Sequence, residues 1–213
     1  MGGIHSSLAA WAVSSRGPLR MEERELIRRA QGGDLPAFEQ LVRGWRDQVF
    51  RIARQIVGDE EGAKDVAQMV FIRLWQGLGR YREGGSFAAY LHRITVNLAI
   101  DFHRQQARRH PTDSWDPVAL DQIPSRPQDP NASLAPGEVQ RVFRVLSARL
   151  TPRQRAVFVL REIEEISTED VAEILGMRQS TVRNHVLEAR RILREGLARL
   201  FPEYARGQEG REK

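Results

Sequence analysis

The apolar residues in the first half of the chain recur at steps of three and four positions, which is the period of an amphipathic α-helix. Asp34 followed by Pro36 is typical of a helix start, and Gly58 is typical of a helix end. A second helix is predicted from about Glu60 to Leu78. The predicted inward positions of these two helices are Phe38, Leu41, Trp45, Val49, Ile52, Ile56, Ala63, Val66, Val70 and Leu74.

A third helix follows the loop GRYREGGS, and Ser86 is its predicted N-cap. Three helices with short connections form a small bundle. The predicted core stripe of the third helix is Ile94, Leu98 and Phe102. Asn97 and Asp101 interrupt this stripe, and the end of the helix is rich in arginine. Asn97 is either satisfied by a neighbouring helix or available to a ligand.

The second helix carries more apolar residues than one inward face requires. Phe71, Ile72 and Trp75 lie away from its inward stripe. A helix that is apolar on more than one face is either central in its domain or docks on a partner. The pattern leaves both explanations open.

Composition divides the chain into helical and non-helical segments. The blocks 21–109 and 137–201 are helical in pattern, and only 7% of all residues are aromatic. Residues 110–136 contain six prolines and no regular period, so we predict a flexible linker there. We expect a disordered tail at residues 1–20 and a polar tail at residues 202–213. The predicted fold is all-α, with two small helical domains joined by the linker.

The stretch at residues 167–193, STEDVAEILGMRQSTVRNHVLEARRIL, predicts a helix-turn-helix. Ala172 suits the close approach of two helices, Gly176 suits a tight turn with positive φ, and Val182 suits a buried position in the second helix. The candidate caps are Ser167 or Thr168 for the first helix and Ser180 or Thr181 for the second.

Charge is distributed unevenly over the second block. Residues 149–175 contain four Arg and six acidic residues, whereas residues 178–199 contain six Arg and two Glu. Arg183, Asn184 and Arg190 are predicted to face outward, where they can contact phosphates or base edges. The predicted core positions of the basic helix are Val182, Val186, Leu193, Leu197 and Leu200. The alternative is an ordinary helical hairpin with a solvated basic face.

Composition also argues against several classes of protein. The chain has no cysteine, which excludes disulfides and thiolate metal sites, and it has no Gly-rich phosphate motif. We therefore expect no enzyme activity, no cofactor, no metal and no small-molecule substrate. The net charge of +5 suits a polyanionic partner. No apolar run approaches the ~18 residues of a membrane span, and we expect a cytoplasmic location.

Both helical blocks resemble bacterial RNA polymerase sigma factors of the extracytoplasmic-function (ECF) type. The start of the family's promoter-melting domain (region 2) is similar to DLPAFEQLVRGWRDQVFRIARQIVGD and AKDVAQMVFIRLW. Its DNA-reading helix is similar to FAAYLHRITVNLAIDFHRQQARR, and region 4 is similar to LTPRQRAVFVLREIEEISTEDVAEILGMRQSTVRNHVLEARRIL. The resemblance implies that the chain binds core RNA polymerase, recognises the promoter −10 and −35 elements and promotes DNA melting.

The resemblance also implies three sets of site residues. The residues that would bind RNA polymerase are Asp65, Gln68, Phe71, Ile72 and Trp75. Those that would contact the −10 element are Tyr81, Tyr90, Asn97, Asp101, Arg104, Arg108 and Arg109. Among them Asn97 would hold a flipped-out base, and Tyr81 is a candidate stacking partner. Those that would contact the −35 element are Arg178, Ser180, Thr181, Arg183, Asn184, His185, Arg190 and Arg191.

Some positions depart from the common family pattern, namely Met69, Ser180, Asn184, His185 and Glu188. These departures bear on the polymerase contact and on the −35 sequence preference.

The resemblance further implies an anti-sigma factor, so we expect a free monomer or a heterodimer with this inhibitor, which can hold the protein at the inner membrane. A flexible linker would let the two domains pack together and hide both DNA surfaces. The alternative function is a stand-alone helix-turn-helix regulator that binds duplex DNA without polymerase.

Overall fold

The computed structural model describes residues 19–82, 86–109 and 136–201. Within these ranges all regular structure is helical, which confirms the predicted all-α class. The N-terminal block contains α1 (Leu19–Gln31), α2 (Leu35–Val57), α3 (Glu60–Leu78) and α4 (Phe87–Arg109). The C-terminal block contains α5 (Pro136–Ser147), α6 (Pro152–Phe158) with a π-helical turn at Val159–Ile163, α7 (Thr168–Leu175) and α8 (Gln179–Leu200).

The predicted tails and the linker lie almost entirely outside the described residues. Helix α1 begins at Leu19 and α5 begins at Pro136, so these two helices reach slightly beyond the predicted block boundaries. In the described part of the chain, no helix combines the length and the apolar character that a membrane crossing requires.

The ends of the first helices follow from their local sequence. The Asp34 side chain accepts a hydrogen bond from the Ala37 amide at 3.0 Å, and Gly58 ends α2 with a φ of 97°. Helix α3 covers the predicted range, with Asp59 as its N-cap. Ser86 accepts a hydrogen bond from the Ala89 amide at 3.4 Å, as the predicted N-cap of α4 should. These caps satisfy amides that have no partner within the helix.

The core stripe of α4 differs from the prediction. Ile94, Leu98 and Phe102 are only half-buried and pack at the margin of the core. The fully buried apolar residues of this helix are instead Phe87, Leu91, Val96, Ala99 and Ile100. The reason is that α4 packs against α2 and α3 and also against α6 and α7, so it buries a wider arc than a single three-four stripe covers.

The helix-turn-helix has the predicted turn but a different second cap. Ser167 caps α7 by accepting a hydrogen bond from the Asp170 amide at 3.0 Å, and Gly176 ends it with a φ of 61°. Neither Ser180 nor Thr181 caps α8, because Arg178 holds the N-cap position and the helix starts at Gln179. The core of α8 also differs: Leu197 was predicted to face inward, but it is 42% exposed.

The two helical blocks share one hydrophobic core. Ala156, Val157 and Leu160 of α6 and its π-helical turn join the same buried cluster as Leu91 of α4 and Ile52 of α2. A smaller second cluster holds α5 against α8. The blocks are therefore packed together along the inner sides of α2 and α4.

Candidate nucleic-acid interface

The outer side of α3 is an exposed apolar surface. Ile72 and Trp75 are exposed, as are the polar residues Asp65 and Gln68, whereas Phe71 is half-buried. Trp75 packs against Phe38 with ring centroids 4.8 Å apart, which fixes its orientation. All five residues expected to bind a partner thus belong to one helix, and four of them are accessible.

Met69 extends this apolar surface, although it was not among the predicted partner-binding residues. It is exposed and lies three positions before Ile72, so the two side chains are neighbours on the helix surface. The sequence contained the signal, since Met69 recurs at helical spacing with the predicted set. It was treated only as a departure from a family pattern.

Tyr81, the candidate stacking partner, and Tyr90 belong to an aromatic cluster. The rings of Tyr81 and Tyr90 lie 5.1 Å apart, and the edge of Tyr81 meets Phe87 at 5.6 Å. Trp45 closes the cluster against Phe87 at 5.8 Å. Tyr81 and Tyr90 are half-buried, so each ring keeps part of one side accessible. These contacts hold the aromatic side chains in place before any base arrives.

The polar face of α4 carries most of the residues expected to contact the −10 element. Asn97, Asp101, Arg104 and Arg108 are all exposed. Asp101 lies 3.8 Å from Arg104, which is a weak surface pair. The side chain of Arg109 lies outside the described part of the structure.

Asn97 opens into a cleft between the two blocks, with a volume of about 210 Å³. One wall consists of Ile100, Asp101 and Arg104 of α4. The opposite wall belongs to the C-terminal block and consists of Arg153, Leu175 and Met177. The last two residues flank Gly176, so the turn of the helix-turn-helix stands across from Asn97. A strand that enters this cleft therefore lies against the turn.

Glu164 joins the blocks through charged hydrogen bonds. Arg51 of α2 donates to both of its carboxylate oxygens at 2.9 Å, and Gln48 donates at 3.4 Å. The side chain of Glu164 is only 4% exposed, and its fork-shaped contact raises the pKa of Arg51 above its usual range. Nearby, Arg93 of α4 donates to the Glu173 carbonyl oxygen at 2.9 Å. The packed arrangement is thus held by specific polar contacts as well as by the shared core.

Arg155 forms a second bridge. Its side chain comes from α6, is 3% exposed, and donates from Nε to the Gln55 carbonyl oxygen at 2.7 Å. This carbonyl lies in the last turn of α2, where the helix dipole favours a cation. Burial, assisted by the charge of Arg144, lowers the pKa of Arg155 to about 10. The C-terminal block therefore caps a helix of the N-terminal block.

Buried polar atoms without hydrogen-bond partners lie near these bridges. Within the described residues they are Gln48 Oε1, Gln55 Oε1, His92 Nε2 and His103 Nδ1. Burial lowers the pKa of His92 to about 4, with Arg51 lowering it further and Glu164 opposing the shift. Burial also lowers the pKa of His103, and the charge of Arg155 acts in the same direction. All four residues belong to the N-terminal block and surround its contact with the other block.

The first turns of α8 are accessible to solvent. Arg178, Ser180, Arg183 and Asn184 are exposed. Thr181 and His185 are half-buried. No side chain caps the start of α8, which leaves amides of its first turn available to an anion. Most of the residues expected to contact the −35 element therefore face outward together.

Arg190 and Arg191 differ from this group because they are engaged within the protein. Arg190 donates to Glu162 in the π-helical turn, with an Nε distance of 3.1 Å. Arg191 donates to Glu188 at 3.0 Å and also contacts Glu195, and both contacts raise its pKa. Both arginines remain more than half exposed, so these are surface ion pairs. The described residues contain no cluster of three His, Cys, Asp or Glu side chains that could hold a metal ion.

Two family models match the two blocks. Residues 41–109 match Sigma-70 region 2, and residues 140–193 match Sigma-70, region 4. The RNA polymerase sigma-E factor of Streptomyces avermitilis is 33% identical, over 78% of this chain and 87% of that protein. The ECF RNA polymerase sigma factor SigE of Mycolicibacterium smegmatis is 32% identical over 80% of this chain, and the match spans 65% of that longer relative. The chain belongs to the ECF family of RNA polymerase sigma factors.

Solved structures show the same fold. The structure of CnrH in complex with the cytosolic domain of CnrY is 24% identical, with a TM-score of 0.61, and the match covers 83% of this chain and 97% of that chain. The sigma factor RpoE of Bartonella quintana, in complex with the anti-sigma factor NepR, is 22% identical, with a TM-score of 0.54 over 75% of this chain and 96% of that one.

Proposed function

We propose that this sigma factor divides promoter recognition among three surfaces. The outer side of α3 binds core RNA polymerase through Ile72, Trp75 and their polar neighbours. The polar face of α4 and the Tyr81–Tyr90 pair bind the opened −10 strand, and the first turns of α8 bind the −35 duplex. The protein is not an enzyme. Because it acts on promoter DNA, it functions in the cytoplasm.

The observation that carries this proposal is the position of Asn97. Its helix buries Leu91 and Ala99 on one side, while Asn97 stands exposed on the other with Arg104 and Arg108 further along. An amide can donate to and accept from the edge of a base. The arginines can neutralise backbone phosphates. Stacking on an aromatic ring contributes about 1–3 kcal/mol per base, which helps to offset the cost of opening the duplex.

The test is the Asn97→Ala variant in holoenzyme with core RNA polymerase. Loss of a base contact worth roughly 1–3 kcal/mol should reduce open-complex formation by about tenfold or more, as measured by permanganate reactivity of unpaired thymines. Binding to core polymerase should not change. Gln40→Ala removes an exposed amide from α2 and is the matched control, which should leave promoter opening at the wild-type level. Normal opening by Asn97→Ala would remove Asn97 from the −10 site.

We further propose that the packed arrangement is a resting state of the free protein. The turn at Gly176 stands across the cleft from Asn97, so the C-terminal block has to move away before a melted strand can reach α4 from that side. A protein inhibitor that favours the packed arrangement would keep the factor inactive. The Bartonella quintana relative was solved with an anti-sigma factor, and we infer an inhibitor of that kind for this chain.

A stand-alone regulator is the alternative, and the accessible α8 is the observation in its favour. The discriminating measurement is the affinity for promoter duplex without polymerase. A sigma factor of this kind should bind the isolated duplex weakly and gain specific binding when core polymerase is added. Tight, specific binding by a dimer of this chain alone would favour the regulator.

A further inference from the structure

The most exposed large apolar side chain in the described part of the protein is Leu187, with 64% of its surface accessible. A single exposed leucine is common in soluble proteins and has no meaning by itself. Its position is what distinguishes Leu187. It lies at the start of the third turn of α8, on the helix that we propose for the −35 element, and it is absent from the residues that the sequence assigns to that site.

Leu187 shares one face of α8 with three polar residues. Ser180, Arg183, Asn184 and Leu187 follow the three-four spacing of a helix, and all four are exposed. Val182 and Ala189, on the opposite face, are fully buried. Leu187 is therefore directed away from the protein core, on the same side as the proposed DNA contacts. Seven residues span about 10 Å along a helix, which corresponds to roughly three base-pair steps.

The neighbouring cations of α8 already have carboxylate partners within the protein, with which a phosphate would have to compete. Arg190 is bound to Glu162, and Arg191 is bound to Glu188 and Glu195. Leu187 itself can neither donate nor accept a hydrogen bond. In the major groove, the one apolar group on a base edge is the C5-methyl group of thymine. A leucine between hydrogen-bonding side chains is complementary to that group and to no other base edge.

We propose that Leu187 determines −35 specificity by packing against one or more thymine methyl groups in the major groove. The inference rests on the proposed role of α8 in −35 recognition and extends it to the base that is selected. Arg183 and Asn184 supply polar contacts on one side of Leu187, and Leu187 adds a selection for the methyl group that their hydrogen bonds do not make.

The test removes the methyl group from the DNA instead of altering the hydrogen bonds. Holoenzyme assembled from the full-length chain and core polymerase is used to select a −35 sequence from a randomised duplex library. Each selected thymine is then replaced in turn by deoxyuridine, which differs only in lacking the methyl group. Wild-type holoenzyme should bind about fourfold more weakly at one or more positions, the factor that corresponds to one buried methyl group.

The Leu187→Ala variant should bind thymine and deoxyuridine duplexes equally at those positions. Leu197→Ala is the matched control, because Leu197 is another exposed leucine of α8 but lies well beyond the first turns. This control should keep the wild-type ratio. Both leucines are exposed, so neither alanine variant should unfold, and circular dichroism checks this.

Three results would overturn the proposal. These are an unchanged thymine-to-deoxyuridine ratio in Leu187→Ala, equal wild-type binding to both duplexes, and a selected −35 sequence without thymine. If Leu187→Ala lowers affinity for core polymerase but leaves the ratio unchanged, Leu187 is a protein contact instead. If the selection enriches no −35 sequence at all, and Arg183→Ala also leaves duplex binding unchanged, the −35 role of α8 itself is wrong.

Discussion

The two surfaces that we propose for DNA binding, on α4 and on α8, differ in which residues lie opposite them. Asn97 of α4 faces Leu175 and Met177 of the other block across a narrow cleft. Ser180, Asn184 and Leu187 of α8 face solvent. Packing of the two blocks therefore sets a wall of the C-terminal block beside the first surface and none beside the second, while the side chains of both surfaces remain exposed. This differs from the expectation that packing would hide both.

This difference separates two steps of recognition. On the proposed assignment, α8 can bind a duplex element while the blocks stay packed, whereas a melted strand that enters the cleft at Asn97 would displace the C-terminal block. The bridges that hold the cleft closed lie at Arg51–Glu164 and at Arg155, away from either surface. Changes at these bridges should act on the −10 surface alone. The absence of cysteine from the whole chain allows the two surfaces to be compared directly by thiol labelling of single introduced cysteines.

The largest expected effect is that of Arg155→Met. It removes the hydrogen bond to the Gln55 carbonyl oxygen and leaves this oxygen buried without a partner, at a cost of about 1–3 kcal/mol. Urea unfolding should show this loss. In this background, labelling of Asn97→Cys by a bulky maleimide should accelerate, while labelling of Asn184→Cys should not. Arg43→Met alters an exposed arginine of α2 whose ion pair with Glu39 lies within that helix, and it is the control for both measurements. Equal acceleration at both positions would mean global loosening instead of opening.

We expect Glu164→Ala to open the cleft at Asn97 less than Arg155→Met does. The change removes the bidentate ion pair between the blocks, but the remaining Arg51 is partly exposed and can be hydrated, so the cost should be about 1–2 kcal/mol. Labelling of Asn97→Cys should increase by up to about tenfold. Asp47→Ala is a suitable control, because it breaks an exposed pair with Arg46 within the N-terminal block. If both variants label alike, Glu164 does not hold the cleft closed.

Acid should favour the open form. Burial, at the contact marked by Glu164 and Arg155, lowers the pKa of His92 from its usual value near 6.5 to about 4 and also lowers that of His103. A lowered histidine pKa means that the packed form is fully stable above the usual value and loses stability as pH falls from about 6.5 towards 4. At pH 5.5 one such histidine exposed on opening contributes about 1.4 kcal/mol. The ratio of labelling at Asn97→Cys to that at Asn184→Cys should therefore rise on acidification. A His92→Gln, His103→Gln double variant should lose this response.

The smallest expected effect is that of Gly176→Ala. Gly176 lies between Leu175 and Met177 of the cleft wall, shortly before α8. Its φ of 61° suits glycine, and nothing lies within 4 Å of an added Cβ, so Gly176→Ala should cost only the backbone strain of about 1 kcal/mol. Thermal unfolding should show a modest decrease in Tm. Gly44→Ala lies in open space within α2 and should be neutral or slightly stabilising. A large loss of −35 binding at Gly176→Ala would show that the turn also sets the angle of α8.

Local signals predicted the helices well, because caps and turns depend on neighbouring residues. Asp34, Gly58, Ser167 and Gly176 all end or start helices where the sequence indicated. The start of α8 was misplaced, because a Ser-Thr pair resembles a cap although the helix had already begun at Gln179. The π-helical turn of α6 had no recognisable pattern in the sequence.

Contacts between distant segments could not be predicted. Arg51 and Glu164 are separated by 113 residues, and nothing in either neighbourhood names the partner. The buried residues of α4 were predicted wrongly for the same reason. This helix has a second packing face only because the C-terminal block packs against it. The helical pattern singled out the apolar residues of α3 and the outward polar residues of α8, and a family resemblance supplied their partners and the remaining site residues. What the structure adds is their different accessibility, the engagement of Arg190 and Arg191, and the exposure of Leu187.

The π-helical turn at Val159–Ile163 links the two halves of this comparison. Glu162 in the turn binds Arg190 of α8, and Glu164, directly after it, binds Arg51 of α2. Side chains two positions apart on a helix point in nearly opposite directions. The turn therefore lies between Arg190 and Arg51 and presents one carboxylate to each of them. Loss of a single codon between the two carboxylates would rotate one of them out of reach. Insertions and deletions in this short segment should therefore be tolerated far less often than substitutions.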